Sequence, residues 1–124
     1  MTAFFPGRPT IDAYGNGGFR FAGMSHRGSI LALPSGVYGW NANGAALSVT
    51  DFSSVFAKRA DVDHLLLGTG RTMARPPRKV TEAFEERGIT LEVMATGAAV
   101  STYNLLLAER RKVAAALIAV ETAA

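Results

Sequence analysis

The chain contains no cysteine, which excludes disulfides, thiolate zinc sites, iron–sulfur ligation through cysteine and every cysteine-nucleophile mechanism. Histidine is scarce as well, with two in 124 residues, so imidazole chemistry has little to work with. Long apolar runs are missing: the longest, Val113 to Val120, has eight residues, against about 20 for a helix that crosses a bilayer. The opening residues, Met1 to Pro9, have no basic stretch followed by an apolar one, so they do not read as a secretory signal, and a cytoplasmic address is the expectation. Charge is sparse, at 19% of residues, and nearly balanced, with thirteen Lys+Arg against ten Asp+Glu. No Arg-rich run interleaves with aromatics, so nucleic acid is not an expected partner.

What the chain does have is a 48% apolar composition, enough to build one core without a metal or disulfide staple. The expectation is a flexible N-terminal segment over residues 1–10 and a single domain over 11–124. Up to residue 44, β-type segments alternate with glycine-rich turns. Ile11 to Tyr14, Phe19 to Ala22, Gly28 to Leu33 and Val37 to Trp40 read as a meander of three or four strands. The stretches Gly15 to Gly18, Gly23 to Arg27 and Pro34 to Gly36 read as its turns. Phe19 and Phe21 flank Arg20 with the alternation of a half-buried strand, aromatics inward.

From residue 50 the apolar period lengthens from two to 3.6 residues. Thr50 or Asp51 caps a short helix in which Phe52, Val55, Phe56 and Arg59 share a face, ending near Ala60. Val62 to Leu67 is a strand buried on both faces and closed by Gly68. Pro76-Pro77 opens a helix with Val80, Ala83, Phe84 and Arg87 in one stripe and Gly88 after its end, and Ile89 to Met94 resumes strand alternation. This strand–helix–strand unit predicts parallel neighbours. Thr96-Gly97 opens a further helix to about Ala108. Beyond it, propensity alone continues the helix through the alanine-rich tail, whereas Glu109-Arg110-Arg111 equally suits a turn into a central strand. The residues leave that choice open.

The combination of Leu65-Leu66-Leu67-Gly68-Thr69-Gly70, Pro76-Pro77, Arg87-Gly88-Ile89, Val93 to Ala99 and Thr102 to Glu109 resembles the Mth938-like domain family, from about Ile11 to Val120. That resemblance implies an α/β, three-layer Mth938-like fold: a mixed central sheet flanked by helices, with an N-terminal β-hairpin or meander. It also implies that Glu109 to Arg111 is a turn and residues 113–119 a strand. Mitochondrial relatives act as an assembly factor for respiratory complex I. The implied function is therefore non-enzymatic binding or assembly, with protein partners such as membrane-complex subunits or insertion machinery. The implied membrane contact is peripheral at most, at the inner face. One departure is Arg75, where relatives often carry an aromatic.

Parallel neighbours end on one sheet edge, so Gly68-Thr69-Gly70 and Thr96-Gly97 are expected to lie side by side where open α/β sheets bind ligands. Two readings stand for these loops. Either the glycines serve tight turns and the threonines cap helices, or the loops form a pocket with which the protein binds an anion or small ligand or acts as an enzyme. In the second reading hydroxyls, helix-terminal amides and Arg71 or Arg75 hold the ligand, with Asn104 nearby. The spacing is neither a P-loop nor a dinucleotide fingerprint. Asn104 also suits a buried hydrogen bond to a neighbouring loop. Asp61, Asp63 and His64 are near-consecutive residues of a strand entry whose side chains alternate faces, a poor metal set. His26 is expected in solvent. Trp40 either plugs the core or, as the candidate partner surface, stays available to another protein. No catalytic residue, metal or cofactor is assigned.

Overall fold

Turns of left-handed residues shape the first half of the molecule, whose computed structural model describes residues 4–122. Asn16 (φ 52°) and Gly17 (φ 76°) reverse the chain between β1 (Ile11–Gly15) and β2 (Gly18–Phe21). Ala22 (φ 51°) and Gly23 (φ 74°) do the same between β2 and β3 (Met24–Arg27). Paired left-handed residues match the twist of a tight hairpin. Gly23 to Arg27, expected as a turn, is therefore mostly strand: Ala22 takes a conformation alanine seldom adopts, and the reversal is finished before Met24. The three antiparallel strands form a small sheet of their own. Phe19 and Phe21 point inward on it and Arg20 outward, as expected.

The next hairpin, β4 (Ser29–Leu33) and β5 (Gly36–Trp40), belongs instead to a five-stranded mixed sheet. Val49–Phe52 forms a 3-10 turn that leads into α1 (Ser53–Ala57). Its cap is Ser48, not Thr50 or Asp51; Asp51 reaches back to accept the Ser48 N–H at 2.8 Å. Phe52, Val55 and Phe56 are buried, but Arg59 is exposed because the helix stops at Ala57 and a 3-10 turn, Arg59–Asp61, follows. Then come β6 (His64–Gly68), α2 (Arg78–Glu86), β7 (Thr90–Met94), α3 (Thr96–Ala108) and β8 (Val113–Leu117).

The sheet order is β5-β4-β8-β6-β7. β6 pairs in parallel with both β7 and β8, and β4 pairs antiparallel with β8. The tail is thus a strand, and it occupies the middle of the sheet. Its alanines fit because the neighbours are large: Ala116 lies between Leu31 and Leu67, and Ala115 sits beside Leu66. All five β8 residues are buried.

Two apolar layers sandwich this sheet. On one face α1 and α2 bury Phe52, Phe56, Val80 and Phe84 over Leu65, Leu67 and Ala114. Arg87 places its guanidinium 4.2 Å from the centre of the Phe56 ring, extending the α2 stripe. On the other face α3 and the small sheet bury Tyr103, Val100, Ile11 and Phe21 over Leu66, Ala115 and Leu117. Removing each large side chain from water contributes about 1.5–3 kcal/mol. This arrangement is the expected three-layer fold.

Residues 1–3 of the stretch expected to be flexible lie outside the described residues. From Phe4 the chain is tied down: Phe4 N–H donates to Val37 O at 2.7 Å, Val37 N–H donates to Phe5 O at 2.8 Å, and Arg8 Nη2 donates to Val113 O at 2.6 Å. His26 is half-buried, its ring 4.5 Å from that of Phe4. Trp40, expected as a partner surface, is 8% exposed. Its ring packs tilted against that of Phe52, centroids 5.5 Å apart, and it donates its indole N–H to Asp51 O at 2.8 Å. Burying both the ring and its polar atom fits the reading of Trp40 as a core plug.

Candidate functional site

Because β6 and β7 are parallel, the loops that follow them meet at one end of the sheet, and β8 ends there too. Gly68 permits the approach. A Cβ at this position would stand 2.9 Å from Thr96 Cα and 3.0 Å from Leu117 Cδ2, closer than side chains pack. With glycine there, Gly68 O accepts the Ile118 N–H at 2.9 Å and the Thr69 N–H reaches Met94 O at 3.0 Å.

Thr96 knots the three segments together. It is fully buried; its N–H donates to Gly70 O at 2.8 Å and its hydroxyl accepts the Gly70 N–H at 2.9 Å. The same hydroxyl donates to Ile118 O at 2.7 Å. Thr69 is used in a comparable way within its own loop, its hydroxyl donating to Thr72 O at 3.0 Å and accepting from Ala74 N–H at 2.9 Å. Asn104 accepts the Ile11 N–H at 2.9 Å and donates to Ile11 O at 2.8 Å, pinning β1 to α3.

The two loops expected to form a pocket converge, and the side-chain polar atoms of Thr69, Thr96 and Asn104 hydrogen-bond to the backbone. Two separate cavities flank the knot. One, of about 150 Å³, is lined by Tyr14, Gly70, Arg71, Gly97 and Ala98. The other, of about 240 Å³, is lined by Leu47, Thr69, Ala74, Arg75 and Pro76. Arg71 and Arg75, imagined as alternatives at one site, thus stand at different ones, and both are exposed. No acidic residue occurs from His64 to Thr81, so the loop that carries Arg71 and Arg75 holds no carboxylate of its own.

Tyr14 was not singled out from the sequence. Its hydroxyl presses against Gly97, where a Cβ would overlap it. Nothing local marks it, since it arrives from the small sheet, far away along the chain. Tyr103, a fully buried phenol, has no hydrogen-bond partner at its oxygen. Burial raises its pKa above the ordinary 10.0, while the charge of the Arg8 guanidinium opposes that shift. His64 Nε2 lies 3.5 Å from Glu92 Oε1 across β6 and β7.

Comparison with known proteins agrees with this fold. An uncharacterised protein of Rhodobacter capsulatus is 37% identical over 92% of this chain and 87% of its own length. The NADH dehydrogenase (ubiquinone) 1 alpha subcomplex assembly factor 3 of Danio rerio is 35% identical over 87% of this chain and 63% of its own length. The chain therefore spans less than two thirds of that assembly factor. Among solved structures, one described as an outer membrane protein from Bartonella henselae is 52% identical, covering 94% of this chain and 99% of that one with a TM-score of 0.91. A Bordetella pertussis protein described as a Mth938-like domain is 25% identical, covering 96% and 90% with a TM-score of 0.78. Residues 11–118 match the family described as "Protein of unknown function (DUF498/DUF598)", and the chain belongs to that family.

Proposed function

We propose that the chain is a non-enzymatic assembly protein that binds subunits of a respiratory NADH dehydrogenase while the complex is being built. The observation that carries this reading is the 35% identity, over 87% of the chain, to a protein named as an assembly factor for that complex. Two structural features support it. The polar side chains brought together at the sheet end are spent on backbone contacts, which leaves no assembled acid–base pair there. The outer helix α3 has no charged side chain in thirteen residues and leaves Leu105 60% exposed, a surface suited to protein contact. On this reading the protein works in the cytoplasm at the inner face of the membrane, touching it only peripherally, and its partners are subunits of the membrane complex or insertion machinery.

The test is capture from the native cell with a tagged chain, beside a gene deletion. Enrichment of NADH dehydrogenase subunits, reduced by Leu105→Glu at unchanged melting temperature, together with partly assembled complex in the deletion strain, is the expected result. A deletion strain with normal complex and a tagged chain that enriches no subunit would overturn the reading.

A second reading has one observation in its favour, the 150 Å³ cavity at the start of α3. The first-turn amides of Gly97 and Ala98 have no carbonyl a turn earlier to bind, and Arg71 stands on the rim. On that reading the protein binds a small anion, and phosphate stabilises it in a manner lost in Arg71→Gln.

A further inference from the structure

Every edge of the two sheets but one is covered or polar among the described residues. At β5 the N-terminal segment adds its own bridge through Phe4 and Phe5 to Val37. On β1, Asn104 holds both backbone groups of Ile11, and Asn16 and Gly17 donate to Glu121 and Val120. Strand β3 is polar beyond its exposed first residue, Met24, presenting Ser25, His26 and Arg27. The exception is β7, the outer strand of the main sheet beyond β6.

The hydrogen-bond phase of β7 shows which groups are free. Thr90 N–H donates to Asp63 O and Met94 O accepts from Thr69 N–H. With alternation along the strand, Thr90, Glu92 and Met94 turn their backbone groups to β6, and Leu91 and Val93 turn theirs outward. None of the usual edge protections is present in this strand: it has no proline, no lysine and no bulge, and its one charge, Glu92, lies beside His64. An apolar edge of this kind pairs with another strand unless something blocks it.

We propose that β7 is an interface for a second copy of this chain, two β7 strands pairing antiparallel about Leu91 to join the sheets into one of ten strands. Self-complementarity selects the occupant and the register. Centring the pair on Leu91 puts Ile89 opposite Val93 of the second copy, an apolar row on the α2 face. It also puts Thr90 opposite Glu92, whose carboxylate accepts from the threonine hydroxyl. Centring on Glu92 would set two carboxylates face to face, which is unfavourable. On the α2 side a groove lined by Phe84, Glu85, Gly88, Ile89 and Leu91 runs beside the strand and receives the apolar row. This interface does not depend on the assembly role.

Sedimentation equilibrium from micromolar to millimolar concentration tests it. The wild type is expected to show a monomer–dimer equilibrium. Thr90 is exposed, so its substitution leaves the monomer fold intact. Thr90→Lys, facing Glu92, should tighten the dimer and Thr90→Glu should loosen it, each by about two- to thirtyfold, because symmetry makes the cross-strand pair twice. Val93→Pro removes an outward N–H and the packing of a half-buried side chain, so it should abolish the dimer at a moderate loss of melting temperature, and Val93→Thr, which keeps the N–H, should leave the dimer in place. Amide exchange at Leu91 and Val93 should slow as concentration rises. A wild type and Thr90→Lys variant that both stay monomeric throughout would overturn the proposal, as would a dimer indifferent to Thr90 and Val93.

Discussion

Replacing Thr96 by valine keeps its size closely and removes only the hydroxyl that ties β6, α3 and β8 together. Two bonds go: the donation to Ile118 O and the acceptance from Gly70 N–H. Each group left without a partner in a buried setting costs about 1–3 kcal/mol. Ile118 and Gly70 are half-buried, so water relieves part of this, and a total of about 2–4 kcal/mol is the expectation. At about 2.1 cal/mol/K of unfolding entropy per residue, this chain loses about 4 °C for each kcal/mol, so Thr96→Val should melt about 8–16 °C lower. Thr69→Val breaks bonds of an exposed loop and should cost about a quarter as much, since water replaces them. Differential scanning calorimetry of wild type, Thr96→Val, Thr96→Ser and Thr69→Val reads this directly. The serine variant, which keeps the hydroxyl, should lie closer to wild type than the valine variant. If Thr96→Val melts within a couple of degrees of wild type, or no lower than Thr69→Val, the knot is not what holds the sheet end together.

Gly97→Ala drives a methyl into the Tyr14 hydroxyl and should lower stability by about 1–3 kcal/mol; in a double-mutant cycle Tyr14→Ala should recover part of that loss, and strictly additive effects would refute the contact. Tyr103 has a raised pKa because it is buried. Below pH 10 the phenol is protonated in both folded and unfolded chains and contributes no pH dependence. Above it the unfolded chain ionises first, so stability should fall as pH rises toward the higher folded pKa. Tyr103→Phe should flatten that alkaline fall in denaturant titrations and cost little at neutral pH, since the hydroxyl bonds to nothing; an unchanged alkaline slope would assign the fall to other groups.

Much of the second half of the fold is legible in the residues because its signals are chemically strong. Pro76-Pro77 and Gly88 bracket α2, Val80, Ala83 and Phe84 give its buried stripe, and three consecutive leucines mark β6. Two places resist reading, each because a residue other than glycine occupies left-handed backbone. Ala22 hides the turn before β3. Arg110, at φ 60°, ends α3 with Arg111 N–H bonded to Leu106 O and its own N–H to Leu107 O, the geometry in which glycine is the usual signal. Without that glycine, the alanines of β8 look helical by propensity; only their place between leucine-bearing strands explains them. At the site, sequence spacing brings the two Thr-Gly loops together but cannot say where the hydroxyls point. That depends on Ile118, which reaches the knot only after β8 has crossed the sheet.

The position of β8 also bears on how the molecule comes into being. The strand that separates the β4–β5 hairpin from the β6–β7 pair is the last of the eight to be synthesised. Until residues 113–117 exist, those two halves have no common neighbour, and Leu31, Leu65, Leu66 and Leu67 have exposed flanks. Its partners are distant in sequence, with Ile30 meeting Leu117, so sheet closure is a late, long-range event that carries a large loop-closure cost. A nascent chain therefore waits with a divided sheet, the stage at which it is most exposed to aggregation and most dependent on chaperones.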